Sequence, residues 1–149
     1  MFPQVIAALT PLVKFLHLLF VLSLAGIIVY CLSVVSTKKF VLNPAYQKIK
    51  IHHLNRYLLL LAAGALCTGT LLVYPKHFTY HTSWIQTAYA LLALFAGILL
   101  ILLSIKQRFA RSIWLMIYLL LALILITAIH DAVTKIPLIN LALVHNPAK

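Results

Sequence analysis

Four stretches of the chain, 15–37, 57–75, 77–105 and 112–130, contain no Lys, Arg, Asp or Glu. A helix rising ~1.5 Å per residue needs roughly 20 apolar residues to cross ~30 Å of hydrocarbon. Each stretch is therefore long enough to span a bilayer. Inside lipid every backbone N–H and C=O must be satisfied within the protein, and continuous apolar runs of this length do so as helices. Composition agrees, at 64% hydrophobic and 9% charged, where a soluble domain carries about 25% charge. Four spans use up most of the 149 residues. No room remains for an appended soluble catalytic domain of roughly 100 residues.

Trimming the runs at flanking breakers predicts spans near 12–35, 57–74, 84–104 and 113–134 within one integral membrane domain, 1–149. The opening Met1-Phe2-Pro3-Gln4 lacks a basic n-region, and the apolar run exceeds the ~7–15 residues of a signal-peptide core, so the first span is expected to be retained. Asn43-Pro44 supplies an N-cap followed by proline at the first helical position, which predicts a second helix of about 30 residues ending near Pro75. Pro137 stops the fourth helix, and 138–149 forms a short tail at the interface. Small residues recur at helical spacing, Gly64 with Thr68, Ala65 with Gly69, and Ala90, Ala93 and Gly97. Close helix contact explains them. The expected architecture is an all-α, up-down, antiparallel transmembrane four-helix bundle.

The net charge of +11 comes from 12 Lys and Arg against one acid. In a soluble protein that balance would suggest nucleic acid, but these cations sit in the gaps between apolar runs, so no nucleic-acid partner is expected and the lipid bilayer is the partner. Eight of them, Lys38, Lys39, Lys48, Lys50, Arg56, Lys106, Arg108 and Arg111, fall on one side, and Lys14, Lys76, Lys135 and Lys149 on the other. The positive-inside rule then predicts both termini outside the cytoplasm of a bacterial inner membrane. Cys31 and Cys67 sit inside apolar runs without metal or redox spacing and read as small buried thiols.

Ionisable groups at membrane depth are the candidates for function. His17 lies about 7.5 Å into the first span and His130 about 6 Å from the end of the fourth, at matching depth on the outer side. Two imidazoles at equal depth on facing helices suit a six-coordinate haem b; the same pair, completed by His81 or His77, suits copper. The alternative is that His17 and His130 merely make interhelical hydrogen bonds to Thr, Tyr or each other, without a cofactor. Lys14, one turn outward of His17, can neutralise a haem propionate or anchor the helix at the interface. Asp131, the single acid, follows His130 and is expected to pair with Lys14 or Lys135 across the outer mouth, or to relay a proton. The run Lys48-Ile49-Lys50-Ile51-His52-His53-Leu54-Asn55-Arg56 would attract anionic headgroups. With one acid and no phosphate loop, nucleophile elbow or HExxH, hydrolase chemistry is excluded and no catalytic residue is singled out.

The string Val13-Lys14-Phe15-Leu16-His17-Leu18-Leu19-Phe20-Val21, followed by Ala25-Gly26, resembles the Lys-x-x-His opening of a group of small four-span bacterial proteins: the SirB family, the copper-resistance CopD-like proteins and the HemJ-type protoporphyrinogen oxidases. His53-Leu54-Asn55, Ser83-Trp84 and Thr134-Lys135-Ile136-Pro137-Leu138 are similar to SirB in particular. The sequence departs from HemJ-type proteins at Gln86 and Ala88, where those carry a His and a Lys, and from SirB at Arg56, where an acid is usual. The resemblance implies haem or metal handling, or electron transfer, in the membrane. It also leaves open a non-catalytic SirB-like protein acting through a redox or membrane-protein partner, and a HemJ-like oxidase.

Overall fold

The computed structural model describes residues 2–37, 44–73, 82–104 and 109–135. Those residues form four helices and no strand: α1 Phe2–Ser36, α2 Pro44–Val73, α3 Ser83–Ser104 and α4 Arg111–Thr134. All four carry windows long and apolar enough to cross a membrane, Leu9–Ser36, Ile49–Val73, Ser83–Ser104 and Arg111–Thr134. The chain is a multi-pass membrane protein. α2 starts at Pro44 and runs 30 residues, as its proline start predicts. α1 begins ten residues before the expected boundary and passes through Pro11, because a transmembrane helix tolerates the one backbone bond that proline removes.

Each helix packs on its two neighbours in a closed ring, α1 on α2, α2 on α3, α3 on α4 and α4 back on α1. Long-range hydrogen bonds fix the directions. His17, early in α1, reaches Ala65 and Thr68 late in α2, Tyr89 early in α3 reaches Thr70 late in α2, and Arg111 at the start of α4 donates to the Ser36 carbonyl at the end of α1. The helices thus alternate up and down. The end where α1 begins and α4 finishes is called here the terminal end.

Leu24, Ile28, Leu58, Phe95, Leu99 and Leu121 line the axis of the bundle. Leucines and isoleucines such as Leu22, Leu60, Leu123 and Ile126 stay on the outside, where lipid, and not water, is the solvent. With acyl chains as apolar as the core, helix association depends on close packing. Gly64 supplies it: a Cβ there would lie 2.7–2.9 Å from three carbons of the Phe20 ring. The absent side chain admits that ring between α1 and α2.

In the half of the bundle remote from the terminal end, Tyr118 of α4 donates a 2.8 Å hydrogen bond to Asn55 Oδ1 of α2. Both residues are buried. Trp114 stacks on Tyr118, with ring centroids 6.0 Å apart, and Phe109 meets Trp114 edge to face. α4 ends at Lys135, which adopts a left-handed conformation at φ 58° and returns its N–H to the Asp131 carbonyl at 2.9 Å.

Candidate functional site

At the terminal end the four helices do not close completely, and leave a cavity of about 300 Å³. α1 contributes Lys14 and His17 to its wall, α2 Gly69, α3 Trp84 and Tyr89, and α4 Lys135. The helical period explains this selection. Lys14 and His17 are three residues apart, so they share a face about 4.5 Å apart along the axis. Leucines, alanines, a valine and an isoleucine fill the rest of the wall. The result is an apolar hollow with two cations and one imidazole.

His17 is held in one orientation. Its Nδ1 lies 3.1 Å from the Ala65 carbonyl oxygen and 3.0 Å from Thr68 Oγ1. A carbonyl only accepts, so Nδ1 carries the proton. Thr68 sends its own hydroxyl proton back to the Gly64 carbonyl at 2.8 Å, which leaves its oxygen lone pair facing Nδ1–H. In the neutral ring Nε2 is then the acceptor nitrogen, the tautomer required to bind a metal or take a proton. Gly69 keeps the ring in place from the other side: a Cβ there would stand 3.2 Å from His17 Cε1, closer than ordinary contact. Tyr89 donates to Thr70 Oγ1 at 2.8 Å, and Thr70 donates to the Leu66 carbonyl. That chain ties α3 to α2 beside the hollow.

The other expected site residues are placed apart from this cavity. His130 is not among its lining residues; Ala132 and Lys135 are the α4 residues that are. Two residues correspond to roughly 200° of rotation, so His130 sits on the opposite flank of α4 from Ala132. Its Nδ1 is 3.4 Å from Asp131 Oδ1, and its side chain is 41% exposed, whereas Asp131 is fully buried. His53 and Arg56 are exposed at the other half of α2, and Asn55 between them turns inward. His77 and His81, the additional copper ligands expected from the sequence, lie outside the described residues, as does His145. Among the described residues no group of three or more His, Cys, Asp and Glu side chains converges.

A haem group can be tested against this wall. The tautomer of His17 would suit ligation through Nε2, while the space at Gly69 is taken by the His17 ring itself. The volume is at the lower limit of ligand cavities, ~300–1,000 Å³. One imidazole, that of His17, lines the cavity, so the wall would supply at most one histidine ligand.

The sequence signals for Lys14 and His17 were their depth and shared face. Trp84, Tyr89 and Gly69 carry no ionisable signal, and only packing brings them to the cavity. Comparison of the chain with family models, with curated proteins and with solved structures finds no match in any of the three.

Proposed function

We propose that the protein binds a tetrapyrrole, haem b, in the cavity at the terminal end, and serves electron transfer or porphyrin handling in a bacterial inner membrane with both termini outside the cytoplasm. The observation that carries this proposal is the His17 imidazole, fixed by Ala65 and Thr68 with Nε2 left as the acceptor, in the wall of an apolar cavity that also takes Lys14. Haem supplies one-electron chemistry when bound. Trp84 and Tyr89 would hold the group in the cavity, His17 would offer its Nε2, and the apolar wall would keep water away. The Lys-x-x-His string that resembles the SirB, CopD-like and HemJ-type group provides two of these groups, Lys14 and His17.

The test is a reduced-minus-oxidised absorption spectrum of purified protein expressed with haem precursor supplied, beside a metal assay of the same sample. A Soret band that is lost in His17→Ala and retained in His130→Ala is the expected result. A colourless, folded wild-type protein refutes haem binding. Copper without haem would do the same, and would transfer the assignment to metal handling.

A further inference from the structure

We infer that Arg56, His52 and His53 of α2 hold the phosphate of an anionic membrane phospholipid, in the leaflet remote from the terminal end, with an acyl chain lying along the outer face of α2. This site is separate from the cavity and does not depend on what the cavity binds. All three side chains are exposed. His52 and His53 fall within ~60° of Arg56 around the helix axis, one turn nearer the start of α2. Cβ bonds in a helix tilt toward its N-terminus, so the Arg56 side chain leads toward the two imidazoles. Those rings stand 6.4 Å apart, centroid to centroid. Leu60, Ala63, Cys67 and Leu71 continue the same face toward the terminal end, each within ~60° of Arg56, and they are exposed as well. A cationic head above an apolar track is complementary to a phospholipid.

Two observations single out these groups among the cations of the chain. The first is depth. Asn55, beside Arg56, is bonded to Tyr118, which comes seven residues after Arg111, where α4 begins. Because α2 and α4 run in the same direction, Arg56 stands about 10 Å inside the level of Arg111. A guanidinium at that level, on a face covered by lipid, must reach outward or draw a counterion to itself. The second observation is where the protein keeps its anion. The one acid of the chain, Asp131, lies at the terminal end and is fully buried, so no carboxylate side chain can pair with Arg56. Other cations of the same half are engaged elsewhere: the Lys50 ammonium lies 5.4 Å from the centroid of the Tyr30 ring, and Arg111 donates to the Ser36 carbonyl. Arg56 offers a planar fork of N–H donors that meets two phosphate oxygens at once, and each imidazole adds an N–H. A phospholipid carries its phosphate to this depth and covers the apolar track with the same molecule.

The experiment uses the full chain in mixed micelles. Cys67 is exposed and Cys31 is buried, so a thiol-reactive fluorophore marks the outer face of α2, ~16 Å along the axis from Arg56. Its quenching is titrated with phosphatidylglycerol and with phosphatidylcholine, both carrying the same nitroxide-labelled acyl chain. The wild type is expected to prefer phosphatidylglycerol by about fivefold or more. Arg56→Gln, and His52→Gln together with His53→Gln, are each expected to bring the ratio toward one, and Arg56→Lys, which keeps the charge and loses the fork, to retain part of it. Arg111→Gln removes a charge from the same end and is expected to leave the preference unchanged. Melting of each variant checks its fold, and the two exposed histidines keep the test open if Arg56→Gln does not fold. Equal wild-type quenching by the two lipids overturns the inference. So does a preference that survives either set of substitutions in a folded protein, or one that falls as far in Arg111→Gln, which marks a general attraction of charge. Displacement of the labelled phosphatidylglycerol by excess glycerol phosphate at constant ionic strength identifies a soluble-phosphate site and also overturns it.

Discussion

Substituting Gly64 by alanine tests the closest helix contact in the bundle. The added Cβ would stand 2.7, 2.8 and 2.9 Å from three carbons of the Phe20 ring, where ordinary contact begins at 3.4 Å. Relief requires a displacement of 0.5–0.7 Å of a ring enclosed between α1 and α2. Overpacking of this kind costs about 1–3 kcal/mol, and simultaneous collision with three ring atoms places it near ~3 kcal/mol. The better helix propensity of alanine returns about 1 kcal/mol. The net expectation is a loss of about 2 kcal/mol, read by equilibrium unfolding in mixed detergent micelles. Phe20→Leu alone, which removes part of a half-buried ring, is expected to cost about 1 kcal/mol. In the double variant the collision is gone. The pair should therefore couple favourably by about 3 kcal/mol, the collision energy itself, in a double-mutant cycle. Strictly additive single effects, or a Gly64→Ala protein as stable as the parent, would refute the packing argument.

Thr68→Val keeps the shape of the side chain and removes one of the two acceptors of His17 Nδ1–H; haem affinity is expected to fall by about tenfold with the ligand signature retained, which titration measures. Lys135→Gly should raise the melting point, as removing a left-handed non-glycine residue is worth about 1 kcal/mol; a lower melting point would contradict the strain at φ 58°. Tyr118→Phe removes the donor to buried Asn55 and should cost about 1 kcal/mol in the same unfolding assay. No change would show that the Asn55 amide finds another partner.

The sequence made the axial coordinate of almost everything readable. The spans expected at 84–104 and 113–134 correspond to Ser83–Ser104 and Arg111–Thr134, because polar residues or charges flank each apolar run. The start of α1 was less legible. Pro11 reads as a breaker by the rules of soluble helices, and α1 continues through it to Phe2. Rotation about each helix axis was not legible at all. His17 and His130 share a depth, but depth says nothing of azimuth, which is set by packing. Nor does a single chain reveal that Lys135, expected at the outer mouth as a partner of Asp131, would share a cavity with Lys14. The glycine at 69 signalled close contact, and the contact it makes is with the His17 ring.

The Asn55–Tyr118 bond joins α2 to α4, helices that stand across the ring from each other and not side by side. Its two ends are 63 residues apart in the chain. During synthesis α2 therefore enters the membrane carrying an amide whose eventual donor has not yet been made. Until α4 arrives, Asn55 must be satisfied by water near the membrane surface or by a temporary partner, since an unmatched amide in hydrocarbon costs several kcal/mol. A crossbar of this kind closes last. The final helix thereby adds to a rotation of α2 that its contacts with α1, the His17 bonds to Ala65 and Thr68 and the Phe20 ring at Gly64, already favour. A chain truncated before α4 should consequently keep the His17 contacts between α1 and α2 and leave the Asn55 amide without its tyrosine donor.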